Sequence, residues 1–280
     1  MGIDLPFDPN ITLFGPFTLS WHGVFSVVGI VAGVWLALRL TRARIDTDKA
    51  YSVATWGVVG GIVGARLFHV LDQWGPIYSH DPIQIIAIWN GGIAIVGAVI
   101  GGIAAGFARG LMLKVPIGFG ADVAAPAIPL GMAIGRIGDL INGEHWAQSC
   151  SGLPWCVRYT NPATLGQGPF SSPSFQYVHP VTTYELLADL LIVGFALWLF
   201  PRVVAKPGEG RLLWLFLGLY GLARFFLSFL RYAREGVGDA PVALGLSQAQ
   251  LVSLGFAVVA AGAIAYLTFR GERVRTPAPA

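Results

Sequence analysis

Ile134-Gly135-Arg136-Ile137-Gly138-Asp139-Leu140-Ile141-Asn142-Gly143-Glu144 closes an apolar segment that begins near Asp122. A guanidinium and two carboxylates at the edge of hydrocarbon are costly unless partners or water satisfy them, and glycines let another backbone or a ligand come close. The stretch therefore reads as a membrane-embedded helix ending in a functional site. The plainer alternative is a helix end at which Arg136 and Asp139 pair only structurally.

The rest of the chain supports the membrane reading. Of its 280 residues 55% are hydrophobic and 12% charged, and the mean hydropathy is +0.65, values far from those of a soluble protein. The net charge of +3 is not gathered on one face or tail and accompanies no nucleic-acid motif, so no nucleic-acid partner is expected. Apolar segments of spanning length lie at about Leu19–Leu38, Tyr51–Leu71, Pro82–Phe107, Phe119–Ile141, Pro180–Phe200, Leu212–Leu230 and Leu246–Phe269. The expected fold is all-α, a single seven-helix membrane domain over residues 1–280. Glycines such as Gly57, Gly60, Gly61 and Gly64, or Gly97, Gly101 and Gly102, mark places where helices pack closely. Met1–Pro16 lacks a basic leader, so no cleavable signal peptide is expected.

Orientation follows from the basic residues. Arg39, Arg42, Arg44, Lys49, Arg109, Lys114, Arg202, Lys206, Arg211, Arg270, Arg273 and Arg275 follow alternate spans, twelve of the eighteen Lys and Arg. That side is the cytoplasm, which leaves the N-terminus outside and the C-terminus inside. Residues 142–179 become an extracytoplasmic loop or small head, and 270–280 a cytoplasmic tail. Cys150 and Cys156 lie in that loop; they lack the companions a zinc site needs, and a disulfide or two isolated thiols are both open.

The other six basic residues, Arg66, Arg136, Arg158, Arg224, Arg231 and Arg234, run against the topogenic bias. All are Arg, whose planar fork can bind a phosphate in two places. The headgroup phosphate of a lipid is the natural anion at that depth. Tyr220 and Arg224 stand at i and i+4 on one face of the sixth span, deep in the apolar run. Partners available to Arg224 are Asp122, Asp139, Glu144 and Glu185. His69 reads as an interfacial histidine, and His22 follows an anchoring Trp21.

These residues carry a resemblance. Gly135 to Glu144 resembles the signature G-R-x-G-N-F-x-N-x-E of the prolipoprotein diacylglyceryltransferase family. Trp21-His22-Gly23 resembles the family's W-Y-G, Gly64-Ala65-Arg66 its G-x-R, Asp122 the acid opening its signature span, His179-Pro180 with Tyr184-Glu185 its H-P-x-x-x-Y-E, and Tyr220 to Phe225 its Y-G-x-x-R-F. The likeness covers nearly the whole chain, in order, and the seven-span, N-out topology is also the family's.

The resemblance implies transfer of a diacylglyceryl group from phosphatidylglycerol to the lipobox cysteine thiol of a preprolipoprotein, with a thioether formed and glycerol phosphate released. It implies a multi-pass protein of the bacterial inner membrane that meets phosphatidylglycerol and preprolipoprotein signal peptides, works as a monomer and needs no metal or cofactor. Arg136 and Arg224 become the residues that hold phosphate, with Glu144, Tyr220 and His22 in the catalytic set and Asp139, Asn142 and Arg66 beside Arg136 in the binding set. The chain departs from the pattern where Val96 stands at the family's third-span histidine, His22 at a tyrosine, Asp139 at an asparagine and Ser228 at a glutamate. An active enzyme in which His22 takes over the thiol proton is one reading, since a base need only reach the proton. A divergent paralogue that binds anionic lipid or transfers another alkyl group is the second. A small transporter is a third, but neither repeats nor matched helix breaks support it.

Overall fold

The computed structural model describes residues 2–14, 17–42, 44–87, 92, 94–143, 145–165, 176–204, 210–234, 237–238 and 240–275. It is mostly helical: α1 Trp21–Thr41, α2 Thr47–Asp72, α3 Ile95–Met112, α4 Ile117–Asn142, the four-residue α5 Pro162–Leu165, α6 Val181–Val204, α7 Arg211–Leu227 and α8 Gln248–Arg275. Among the described residues six helices are long and apolar enough to cross a membrane, so the chain is a multi-pass, all-α membrane protein. The expected third span from Pro82 is shorter at its start. Pro82–Ile85 is a 3-10 turn, Gly92 takes φ +79°, and α3 begins at Ile95. Conversely, α2 begins before its apolar run because the Asp46 carboxylate accepts hydrogen bonds from the N–H groups of Asp48 (3.1 Å) and Lys49 (3.2 Å), a polar cap that hydropathy does not register.

The chain divides into two compact units, residues 38–120 and residues 1–37 with 121–280. In the first, α2 and α3 pack through glycines. A Cβ on Gly60 would stand 2.7 Å from the Gly101 carbonyl oxygen, and one on Gly102 3.1 Å from that of Gly57. With lipid as apolar as leucine, such backbone proximity supplies the dispersion contact that holds membrane helices together. Arg66 of α2 is buried and donates to the carbonyls of Ile85 (2.9 Å), Gly92 (2.7 Å), Gln84 and Ala87, tying α2 to residues that precede α3.

In the second unit the same device joins α1 to α4. A Cβ on Gly29 would lie 2.5 Å from the Gly131 carbonyl oxygen, one on Gly33 2.8 Å from that of Ala127, and one on Gly138 2.7 Å from the Cα of His22. Helices α7 and α8 meet where a Cβ on Gly221 would lie 2.6 Å from the Ser253 carbonyl oxygen. Asp122, fully buried on α4, accepts the Leu212 N–H at 2.7 Å and so caps the start of α7. Outside the helices, β1 (Ile3–Leu5) pairs in parallel with β4 (Val157–Tyr159). Cys150 and Cys156 form a disulfide, and Ala147, Val157, Tyr159, Val178 and Val181 close a small buried cluster. Arg158 holds Asp4 bidentately at 2.9 and 2.7 Å, which keeps the Asp4 carboxyl below its ordinary value of 3.8. The folded state is therefore favoured above that pH and loses this contribution as pH falls through the lowered value.

Replacing Gly101 with Leu should push α2 and α3 apart and lower stability by about 1–3 kcal/mol. Gly194→Ala, where an added Cβ meets nothing within 4 Å, should leave the melting temperature in detergent unchanged or slightly raised. Equal melting temperatures for the two variants would contradict the packing account.

Candidate active site

Three arginines of the second unit meet around one carboxylate. Glu185, in the first turns of α6 and 5% exposed, accepts hydrogen bonds at Oε1 from Arg231 Nη2 (2.6 Å) and Arg224 Nη1 (3.3 Å). Arg136 Nη1 stands 3.2 Å from Oε2 at ion-pair distance. The Arg side chains of 136, 224 and 231 are only 15%, 16% and 12% exposed. A guanidinium so placed needs an anion, and one glutamate serves three. Arg136 comes from α4, Arg224 from α7, and Arg231 from just beyond the 3-10 turn Ser228–Leu230.

Asp139, one turn along α4 from Arg136, is the second anion. Its Oδ2 accepts from Arg136 Nη1 at 3.0 Å and faces His145 Nε2 at 3.1 Å, while its Oδ1 meets His22 Nδ1 at 2.6 Å. The last contact depends on Gly138, since a side chain there would collide with the His22 backbone. Gly143 takes φ +71°, and its N–H donates to the Asp139 carbonyl at 2.9 Å, ending α4 in the left-handed conformation that glycine adopts without strain. Thus both glycines flanking Asp139 have identifiable backbone duties.

Tyr220 sits half-buried on α7 and interacts electrostatically with Arg136, Arg224 and Glu185. Asp189, one turn beyond Glu185 on α6, is 2% exposed, and its Oδ2 has no hydrogen-bond partner among the described residues. Asn142 is buried as the last residue of α4. Trp155 donates to the Tyr184 hydroxyl at 2.9 Å, and His179 Nδ1 lies 3.5 Å from the same oxygen. A cleft of about 640 Å³ opens alongside, lined by Phe7, Asp8, Asn10, Ile11, Trp21, Phe25 and Ile141. Its walls include the sequence neighbours of His22 and Asn142.

Of the residues singled out in the sequence, the structure gathers Arg136, Asp139, Arg224, Tyr220 and His22. Among the four acids available to Arg224, Glu185 is the partner observed and Asp122 is engaged at the start of α7. Arg66 is described within the other unit, on backbone carbonyls. Glu144 and the side chain of Val96 lie outside the described residues. Sequence reasoning passed over His145 and Asp189 and gave Arg231 no partner. Asp189 stands at i+4 from Glu185, a spacing that puts both on one face, and His145 directly follows the signature.

Comparison with known proteins bears on what this cluster does. The family model described as prolipoprotein diacylglyceryl transferase matches residues 9–266. The phosphatidylglycerol–prolipoprotein diacylglyceryl transferase of Trichormus variabilis is 35% identical over 267 residues, covering 94% of this chain and 90% of the relative. Its namesake in Nostoc is 36% identical over 268 residues, with the same coverage, and that of Pseudoalteromonas atlantica is 31% identical over 276 residues, 97% of this chain and 93% of the relative.

Removing the central anion tests the cluster itself. Glu185→Ala leaves three guanidiniums without their shared partner and should cost about 3–5 kcal/mol, read as a lowered melting temperature in detergent. A wild-type melting temperature would contradict the ion-pair geometry.

Proposed function

This chain belongs to the prolipoprotein diacylglyceryl transferase family, and we propose from that premise that it transfers a diacylglyceryl group from phosphatidylglycerol to the lipobox cysteine of a preprolipoprotein. In the reaction the cysteine thiol gives up its proton and its sulfur forms a bond to the glycerol carbon that carries the phosphate. The bond from that carbon to the phosphate oxygen breaks, and glycerol phosphate departs with the electron pair. The products are a thioether and a phosphate monoester.

The convergence of Arg136 and Arg224 on Glu185 is the observation that carries the reading. Charge develops on the departing phosphate, and fixed cations that need not reorganise stabilise it most effectively. Both guanidiniums retain some exposure, so a phosphate can reach them. Glu185 and Asp139 hold them in position, Tyr220 donates a hydrogen bond to the headgroup, and Asn142 and Glu144 complete the headgroup site at the end of α4. Arg66 is the remaining member of the proposed binding set. The thiol reacts as its thiolate, and His22 is the base that receives the proton. No nucleophile of the chain's own, metal or cofactor enters the scheme.

In this reading α3, with the segment before it, completes seven spans. The basic residues put the N-terminus outside the inner membrane of a bacterial cell and residues 270–280 in the cytoplasm. Residues 142–179 form an outer head whose disulfide suits an oxidising compartment. The protein acts as a monomer. Val96 at the family's histidine position is what favours the second reading, a paralogue that binds anionic lipid without modifying lipoproteins.

Complementation of a transferase-depleted bacterium separates the two, with thioether lipid on a reporter lipoprotein detected by mass spectrometry. The wild-type chain should restore growth and modification. Arg136→Lys keeps the charge and loses the fork, so transfer should fall about 10²–10³-fold while the protein still folds; near-normal transfer by that variant would refute the phosphate role. His22→Ala should also lose most transfer, and unchanged turnover would remove His22 from the scheme.

A further inference from the structure

Five side chains from five parts of the chain form a continuous polar line: His22, Asp139, His145, Arg231 and Glu185. The links are 2.6 Å from His22 Nδ1 to Asp139 Oδ1, 3.1 Å from Asp139 Oδ2 to His145 Nε2, 3.2 Å from His145 Nδ1 to Arg231 Nη1, and 2.6 Å from Arg231 Nη2 to Glu185 Oε1. The donor and acceptor inventory fixes how the protons must lie. A guanidinium only donates, so Nδ1 of His145 accepts from Arg231. The imidazole is then neutral at that nitrogen and carries its proton on Nε2, which donates to Asp139. Arg136 Nη1 is 3.5 Å from that same Nε2; the two are donors converging on one carboxylate oxygen rather than partners of each other. With Oδ2 filled by two donors, Oδ1 takes the Nδ1–H of His22, whose Nε2 then bears the lone pair.

We infer that His145 is a positioning residue: through Asp139 it fixes the tautomer and orientation of the His22 imidazole, and it ties that imidazole to the arginines gathered on Glu185. The role of His22 as base rests on the proposed transfer reaction; the tautomer coupling does not. In that reaction the thiol proton passes to His22 Nε2 as the sulfur–carbon bond forms and the carbon–oxygen bond to phosphate breaks. The proton then leaves with the glycerol phosphate, which returns His22 to its starting state. His145 touches neither substrate and acts only through Asp139 and Arg231.

Other charged and titratable groups among the described residues surround this line. Arg136 and Asp139 come from α4, Glu185 and Asp189 from α6, Arg224 and Tyr220 from α7, and Arg231 from the turn after it. Tyr159 of β4 lies within electrostatic reach of Asp139. Asp8 lines the cleft that Trp21 also lines. Losing His145 leaves Arg136 as the remaining described donor at Asp139 Oδ2, so the carboxylate is less firmly oriented and Oδ1 no longer holds the His22 Nδ1–H in one tautomer.

The test uses the full chain, labelled with ¹⁵N-histidine in phosphatidylglycerol-containing nanodiscs, with the His22 signals assigned by their loss in His22→Gln. Wild type should show the Nδ1–H tautomer at His22. His145→Ala should show mixed tautomers, with kcat for a lipobox peptide lowered about tenfold and KM nearly unchanged. His145→Gln, whose amide N–H can still donate to Asp139, should restore the wild-type tautomer and kcat. An Nε2–H tautomer in wild type, or a folded His145→Ala protein with unchanged nitrogen shifts and kcat, would overturn the inference. Absence of transfer in wild type would instead sink the functional reading, with the nitrogen signals still deciding the coupling.

Discussion

One buried carboxylate holding three guanidiniums is the interaction on which the rest of this structure depends. Arg136, Arg224 and Arg231 come from α4, α7 and the turn after α7, and none could stay among apolar helices without an anion. Glu185 supplies it to all three. The ion pairs are then less a source of net stability, since desolvation offsets much of the attraction, than a way of fixing where three forks lie. A site that must meet a phosphate as its charge grows benefits from cations already in place.

Close backbone approach is what brings this cluster to the second carboxylate. Gly138 lets the start of α1 press against α4, so that His22 reaches Asp139; Gly143 ends α4 one turn later with a left-handed residue. Between them Asp139 meets His22, Arg136 and His145. The signature stretch thus combines two kinds of demand: small residues where chains must touch, and charge where the chemistry is proposed to occur.

Much of this was legible in the sequence, for physical reasons that also explain what was not. Long apolar runs and the scarcity of charge within them report spanning helices directly, and arginines against the topogenic bias report a cost that something must offset. Arg136 and Arg224 could be named on that ground alone. Their common partner could only be narrowed to four acids, because apolar periodicity says which face a residue occupies and not which helices meet. His145 follows the signature where helix has ended, so no period marks it. Asp189 was visible only as the i+4 companion of a residue whose importance was itself unsettled. The strand pairs escaped notice because segments such as Ile3–Leu5 and Val157–Tyr159 are too short to show alternation. The third span began late because Pro82 and Gly92 interrupt a run that hydropathy reads as continuous.

The most direct measurement follows both halves of the reaction in one vessel. Purified protein is reconstituted with phosphatidylglycerol carrying a labelled headgroup and supplied with a lipobox peptide, and the peptide mass and released headgroup are counted together. The account predicts one glycerol phosphate released for each diacylglyceryl thioether formed. Lipid bound at the arginines with an unmodified peptide, or modification without matching release of glycerol phosphate, would contradict it.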